Sequence, residues 1–219
     1  MKRAIKTNEL YSSFPFYLDI LKQYEYPWQV LPDIKEICRE LISKGIVGFK
    51  QITENVLVGP NVKIAENVTI EGAAIIGENS EIRTGAYIRG NVITGAHCVL
   101  GNSSEFKNCI LLDNVQAPHY SYIGDSVIGN RVHLGASAIC SNLKGDNKPV
   151  IIHADEDIPT HLRKVGAFLG DGADIGSGCI INPGTIIGKG SRVYPLTSLR
   201  GVYPENHIIK SQKEFTEIK

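Results

Sequence analysis

The stretch VGPNVKIAENVTIEGAAIIGENSEIRTGAYI, residues 58–88, repeats itself every six residues. Val58, Ile64, Ile70, Ile76, Ile82 and Ile88 hold one position of the repeat. Four residues after each stand Val62, Val68, Ala74, Ser80, Ala86 and Val92, all small or β-branched. The same register returns at Leu169, Ile175, Ile181, Ile187, Val193 and Leu199. An α-helix repeats at about 3.6 residues and a strand at about 2, so neither sustains this period. A β-sandwich would show alternation with irregular turn spacing. A period of six marks a parallel β-helix, in which three short strands and three corners complete one coil. Coils stack at about 4.8 Å, the large aliphatic residue pointing inward and the small one sitting near the corner.

Working outward, residues 56–205 are expected to form an all-β solenoid of about seven coils. Its parallel strands span 56–141 and 169–203, interrupted by a projecting loop or hairpin at about 142–168. Ile64, Ile70, Ile76, Ile82, Ile88, Ile175, Ile181 and Ile187 should be buried. Residues 206–219 read as a tail. The 29 Ile, 15 Val and 22 Gly, against one Met and one Trp, favour strands and tight turns over a helical bundle.

Residues 1–55 differ. Ile34, Ile37, Cys38, Leu41 and Ile42 lie on one face of a helix. Pro32 suits its entry, Asp33 and Glu36 resemble a capping box, and Gly45 suits its exit. Residues 17–24 read as a shorter helix, and Trp28 should pack this segment on the rest of the chain.

Lys+Arg and Asp+Glu both number 23, a formal net charge of +0, which argues against nucleic-acid or anionic-membrane partners. No apolar run approaches a membrane span, and residues 1–9 lack the apolar region of a signal peptide. Five Cys without a CxxC pair fit a reduced, cytoplasmic protein without a thiolate zinc site.

The repeat falters between residues 110 and 142, ILLDNVQAPHYSYIGDSVIGNRVHLGASAICSN. Ile123, Ile128, Leu134 and Ile139 read as inward positions spaced 5, 6 and 5. Just before them APHYSY has no clean hexad, which puts His119 where the coil is reshaped. Histidine suits general-base work near neutral pH, although a surface His beside a Pro turn reads the same way. A second anomaly concerns charge. Ile88 and Phe106 are 18 apart, so Arg89 and Lys107 stack on consecutive coils. Two cations about 4.8 Å apart repel by about 1 kcal/mol in water and several-fold more in a drier cleft. A dianion such as a phosphate would relieve them. So would a charge ladder with Glu71, 18 residues before Arg89, or splayed, solvated side chains. The Gly170-Asp171-Gly172 and Gly188-Lys189-Gly190 corners continue into no phosphate-loop motif.

With these residues in view, the pattern resembles the left-handed β-helix of the hexapeptide-repeat acyltransferases. The left hand comes from that resemblance, which also implies trimers with active sites between subunits. Arg89 to Lys148 is similar to the acetyltransferase half of bifunctional sugar-1-phosphate nucleotidylyltransferase/glucosamine-1-phosphate N-acetyltransferases. The most specific element is PHYSYIGDS with the Asn142–Lys148 loop; LRKVGAFLGDGADIG and INPGTIIG look like archaeal-type members. The resemblance implies acetyl-CoA-dependent N-acetylation of an amino-sugar 1-phosphate, with no metal required. It makes His119 the catalytic base, and Arg89 and Lys107 the phosphate-binding cations. Tyr122, Asn142 and Lys148 fall in the amino-sugar pocket, and Ala136 supplies a backbone amide to the oxyanion.

Asn142-Leu143 replaces the Asn-Tyr of bacterial members, His133 replaces an amide residue, and Ile151 replaces an archaeal-type Lys. The sugar and acyl donor are therefore open. Residues 1–55 hold neither the length nor the phosphate loop of a nucleotidylyltransferase. An alternative is a non-catalytic module that binds a sugar phosphate or nucleotide sugar and works with a separate nucleotidylyltransferase. A γ-carbonic-anhydrase-like zinc enzyme is a third reading. It needs a closely spaced His pair, whereas His97, His119 and His133 are 22 and 14 apart.

Overall fold

The computed structural model describes residues 5–217. Residues 1–4 and 218–219, the outer ends of the expected helical segment and tail, lie outside the described residues. From Val56 the chain winds into coils whose strands pair in parallel with their counterparts one coil away. Three faces result. The first runs from Val56–Val58 through Ala74–Ile76 to Val202–Tyr203, and the second from Lys63–Ile64 to His207–Ile209. The third runs from Thr69–Glu71 to Ser198–Leu199. On the second face the last parallel strand, His207–Ile209, is closed by Phe215–Glu217 running antiparallel. The residues expected as a tail therefore add one further parallel strand and its antiparallel cap.

One corner is a column of left-handed backbone: Asn61, Asn79, His97, Asn114 and Arg131 have φ of 57°, 56°, 57°, 62° and 58°. Asparagine tolerates this region because its short amide bonds locally, which is why Asn recurs at this corner. The inward ladder is buried from Ile76 onward, with Ile82, Ile88, Ile175, Ile181 and Ile187 at 1% exposure or less. The first coil departs from expectation. Ile64 is 38% exposed and Ile70 half-buried, because no coil lies beyond them to complete the core. Ile82→Ala should therefore cost about 2–5 kcal/mol and Ile64→Ser less than about 1, measured by chemical denaturation.

The faltering repeat has a simple cause. Val99 pairs with Gln116 and Glu105 with Tyr122, 17 residues apart instead of 18. The missing residue comes from the third corner, where Asn108 (φ 48°) and Asp125 (φ 46°) each turn the chain in tight corners. His119 thus does not sit in a reshaped coil. Gln116–His119 is a regular strand in continuous register with Val99–Asn102, and only the small Ala117 in a core position disguises it. The inward residue after Leu134 is Cys140, not Ile139, since Cys140 pairs with the buried Ile181 while Ile139 pairs with the exposed Ile180. Cysteine packs here as a small hydrophobe.

All five Cys are buried. Burial pushes the Cys38, Cys98 and Cys140 thiols up to about 12, and raises Cys109 and Cys179 as well. Thiolate is the reactive form, so a thiol reagent at pH 8 should label none of them until the chain is unfolded.

The first face is apolar outside as well as inside. Leu57, Ile75, Ile93, Ile110, Val127, Phe168 and Ile186 point outward yet are buried. The N-terminal segment covers them with Leu10, Leu18, Leu21, Trp28, Ile34 and Ile37. Its helix Ile34–Lys44 forms as expected and ends at Gly45 with φ 70°. Asp33 makes no capping bond; its carboxylate accepts from Tyr24 Oη at 2.8 Å. Residues Phe16–Gln23 form a 3₁₀ rather than an α-helix. The strap is fixed by polar contacts too: Tyr11 Oη donates to the Val127 carbonyl at 3.0 Å, and the Asp171 amide to the Leu10 carbonyl at 3.0 Å. Trp28 stacks on Tyr26 with ring centroids 4.6 Å apart and meets Phe168 at 6.0 Å.

The insertion forms an antiparallel hairpin, Ile151–His153 with Asp157–Pro159. It lies back on the first face instead of projecting, because Val150 and Ile152 are buried in the same apolar layer. No helix among the described residues is long and apolar enough to cross a membrane.

Candidate functional site

Arg89 and Lys107 are register partners on consecutive coils. Neither cation waits for a ligand to relieve it. The Arg89 Nε and Nη2 donate to Glu105 Oε1 at 2.8 and 2.6 Å. Lys107 Nζ donates to Asp125 Oδ2 at 2.9 Å. This corrects the charge argument: two carboxylates interleave with the two cations and leave the group neutral. Glu71 is Arg89's register partner but accepts from Tyr87 Oη at 2.5 Å, so the alternative ladder does not form. The Lys107–Asp125 pair is the more sheltered, with side chains 19% and 7% exposed. Losing either partner would leave a charge largely removed from water.

Asp125 gathers further groups. Asn108 Nδ2 donates to its Oδ1 at 2.9 Å, and Asn142 Nδ2 donates to its Oδ2. Tyr122 sits one strand position from this group, its ring laid against Gly124, where a methyl would meet its Oη at 2.4 Å. Burial, then the carboxylates of Glu105 and Asp125, raise the Tyr122 phenol; Arg89 and a hydrogen bond from Asn142 pull the other way. Four of the expected residues, Arg89, Lys107, Tyr122 and Asn142, therefore share one patch at the third face.

The other three do not join it. His119 is exposed at the end of its strand, in register with Asn102 of the preceding coil. Its carbonyl accepts from the Ser137 amide at 3.1 Å, which sets Ala136 beneath it on the next coil. The Ala136 carbonyl accepts from Gly178, while its N–H donates to no protein group among the described residues. Only Tyr120 and Ser121 separate His119 from Tyr122, a backbone reach of at most about 11 Å. Lys148 is exposed in the insertion, and its amide donates to Asp146 Oδ1 at 3.0 Å. His133 pairs instead with Asp174, at 2.9 Å.

Sequence reasoning missed Glu105 and Asp125. The signal was present: Asp125 lies 18 residues after Lys107, the spacing that linked Lys107 to Arg89. Among the described residues, no three His, Cys, Asp or Glu side chains group so as to hold a metal ion.

Residues 70–171, which contain every residue of both groups, match a protein family described as the GMPPB C-terminal domain. The bifunctional protein GlmU of Methanococcus aeolicus is 38% identical over 137 residues, covering 54% of this chain and 33% of that protein. GlmU of Methanococcus vannielii is 33% identical over 176 residues, covering 78% and 42%. Over these stretches the solenoid is similar to GlmU. The chain spans less than half the length of these two GlmU proteins. Among solved structures, a mutant of AntD, an N-acyltransferase from Bacillus cereus in complex with dTDP and coenzyme A, gives a TM-score of 0.43 at 18% identity, covering 83% of this chain and 89% of that one. The acetyltransferase domain of PglB from Neisseria gonorrhoeae, in complex with acetyl coenzyme A, gives 0.40 at 14%, covering 86% and 66%.

Proposed function

We propose that this GlmU relative transfers an acetyl group from acetyl-CoA to the amine of an amino-sugar 1-phosphate or a close relative. The observation that carries the reading is His119, exposed at a strand end one coil before Ala136, whose N–H has no protein acceptor among the described residues. In acyl transfer the amine nitrogen attacks the thioester carbonyl carbon, its proton passes to His119, and the C–S bond breaks as His119 returns that proton to the sulfur, releasing CoA as the thiol. The Ala136 N–H, without a protein acceptor among the described residues, would supply the donor that the developing oxyanion requires. Arg89 and Lys107 hold the phosphate with the donors their carboxylates leave unused: an ammonium has three N–H groups and Lys107 gives one to Asp125. Tyr122, Asn142 and Lys148 orient the sugar. A homotrimer with a solution mass near three times 24.0 kDa is the assembly this reading requires.

The test is a screen of amino-sugar phosphates against acetyl-CoA with purified protein. Acetylated product supports the proposal. Binding of sugar phosphate or nucleotide sugar without transfer from any acyl-CoA replaces it with a binding module serving a separate nucleotidylyltransferase. Neither binding nor transfer overturns both.

A further inference from the structure

Asp125 does more than neutralise Lys107. Its carboxylate receives Lys107 from the coil before, Asn108 from the corner before, and Asn142 from the point where the insertion leaves the solenoid. Its own carbonyl accepts from the Gly166 amide at 2.7 Å, where the insertion returns. Between these ends the Val165 amide donates to the Asn142 carbonyl at 3.0 Å, and Leu143 bridges Lys164. The return is tight. A Cβ on Gly166 would lie 2.0 Å from the Gly124 carbonyl oxygen and 2.2 Å from Ser126 Oγ. One residue therefore touches both ends of a 24-residue excursion, 142–165, and the most sheltered cation of the candidate site.

We infer that Asp125 is the positioning residue of this site, clasping both ends of the insertion and setting the directions of Lys107 and Asn142 together. The inference rests on the proposed acetyl transfer for its kinetic consequence, but not for its structural one. With Lys107 and Asn142 held to the same carboxylate oxygen, acceptor binding and the order of the insertion rise and fall together. Asp125 touches neither the amine nor the thioester in this scheme, so it acts on acceptor affinity and not on the chemical step.

Two variants test this from opposite sides of the link. Asp125→Asn keeps the shape but turns an amide N–H toward a donor, Asn142 or Asn108. Asn142→Ala removes one arm and leaves the Lys107–Asp125 pair intact. Hydrogen exchange on the full chain reads the clasp without any substrate. Amides of 142–165 should exchange at least about tenfold faster in both variants, with those of 74–111 unchanged. Unchanged exchange in 142–165 overturns the inference whatever the activity. With glucosamine 1-phosphate and acetyl-CoA, Asp125→Asn should raise the acceptor KM about tenfold or more and leave kcat within about threefold. A fall in kcat with KM unchanged overturns the inference. Should Asp125→Asn fail to fold, the exchange measurement on Asn142→Ala decides the clasp; Asn142 also contacts the sugar in this scheme, so its KM does not. Absence of transfer by the wild-type protein overturns the proposed function alone, and the exchange result then decides the clasp.

Discussion

His119→Ala is expected to lower acetyl transfer by about 10²–10⁴-fold while leaving amino-sugar phosphate affinity within a few-fold. His119 is exposed at a strand end and outside the core, so its loss should not disturb the fold. Arg89→Ala and Lys107→Ala should behave differently. Each removes a charge-assisted contact of about 1.5–3 kcal/mol from the phosphate, and each also frees a carboxylate, Glu105 or Asp125, to repel it. Their effect should fall on KM, and it should be larger for Lys107, whose carboxylate is the less exposed. Paired equilibrium binding and turnover measurements separate the two classes. Full turnover by His119→Ala would move the base elsewhere, with His133, held by Asp174 one coil further on, next to be tested.

The second large effect is on stability. Phe168→Ala should cost about 3–5 kcal/mol, since Phe168 is fully buried between the outward ladder and the strap. Trp28, the single Trp, packs against it and reports the event directly. Denaturation followed by Trp28 fluorescence should show an earlier midpoint, with native emission shifted toward that of an exposed indole. A loss below about 1 kcal/mol would mean that the strap rests only lightly on the solenoid.

What the sequence disclosed and what it hid divide along physical lines. A period of six is enforced at every coil by the interior, where one large and one small residue must alternate, so Ile76 to Ile88 and Leu169 to Leu199 are plain to read. Cys140 was hidden because a small side chain in a core position looks no different from a corner residue. The covered first face was written in the runs AII, CIL, AFL and TII, which lack the polar outward residue of the other faces. Only partners in the N-terminal segment, outside the repeat itself, explain them. The candidate site was half legible. The stacking of Arg89 on Lys107 follows from arithmetic, but their engagement by Glu105 and Asp125 depends on side-chain direction at a corner shortened by one residue.

The strap has a consequence for how the molecule is made. Leu10 and Tyr11 bind residues 171 and 127, and Trp28 binds Phe168. Each of these partners emerges from the ribosome more than a hundred residues later. Coils can zip onto one another as they appear, each needing only its predecessor, whereas the segment made first must wait with its apolar side chains unsheltered. Docking of the strap is therefore expected to be the slow, late event of folding, and a nascent chain stalled before residue 168 should be the species most prone to aggregate.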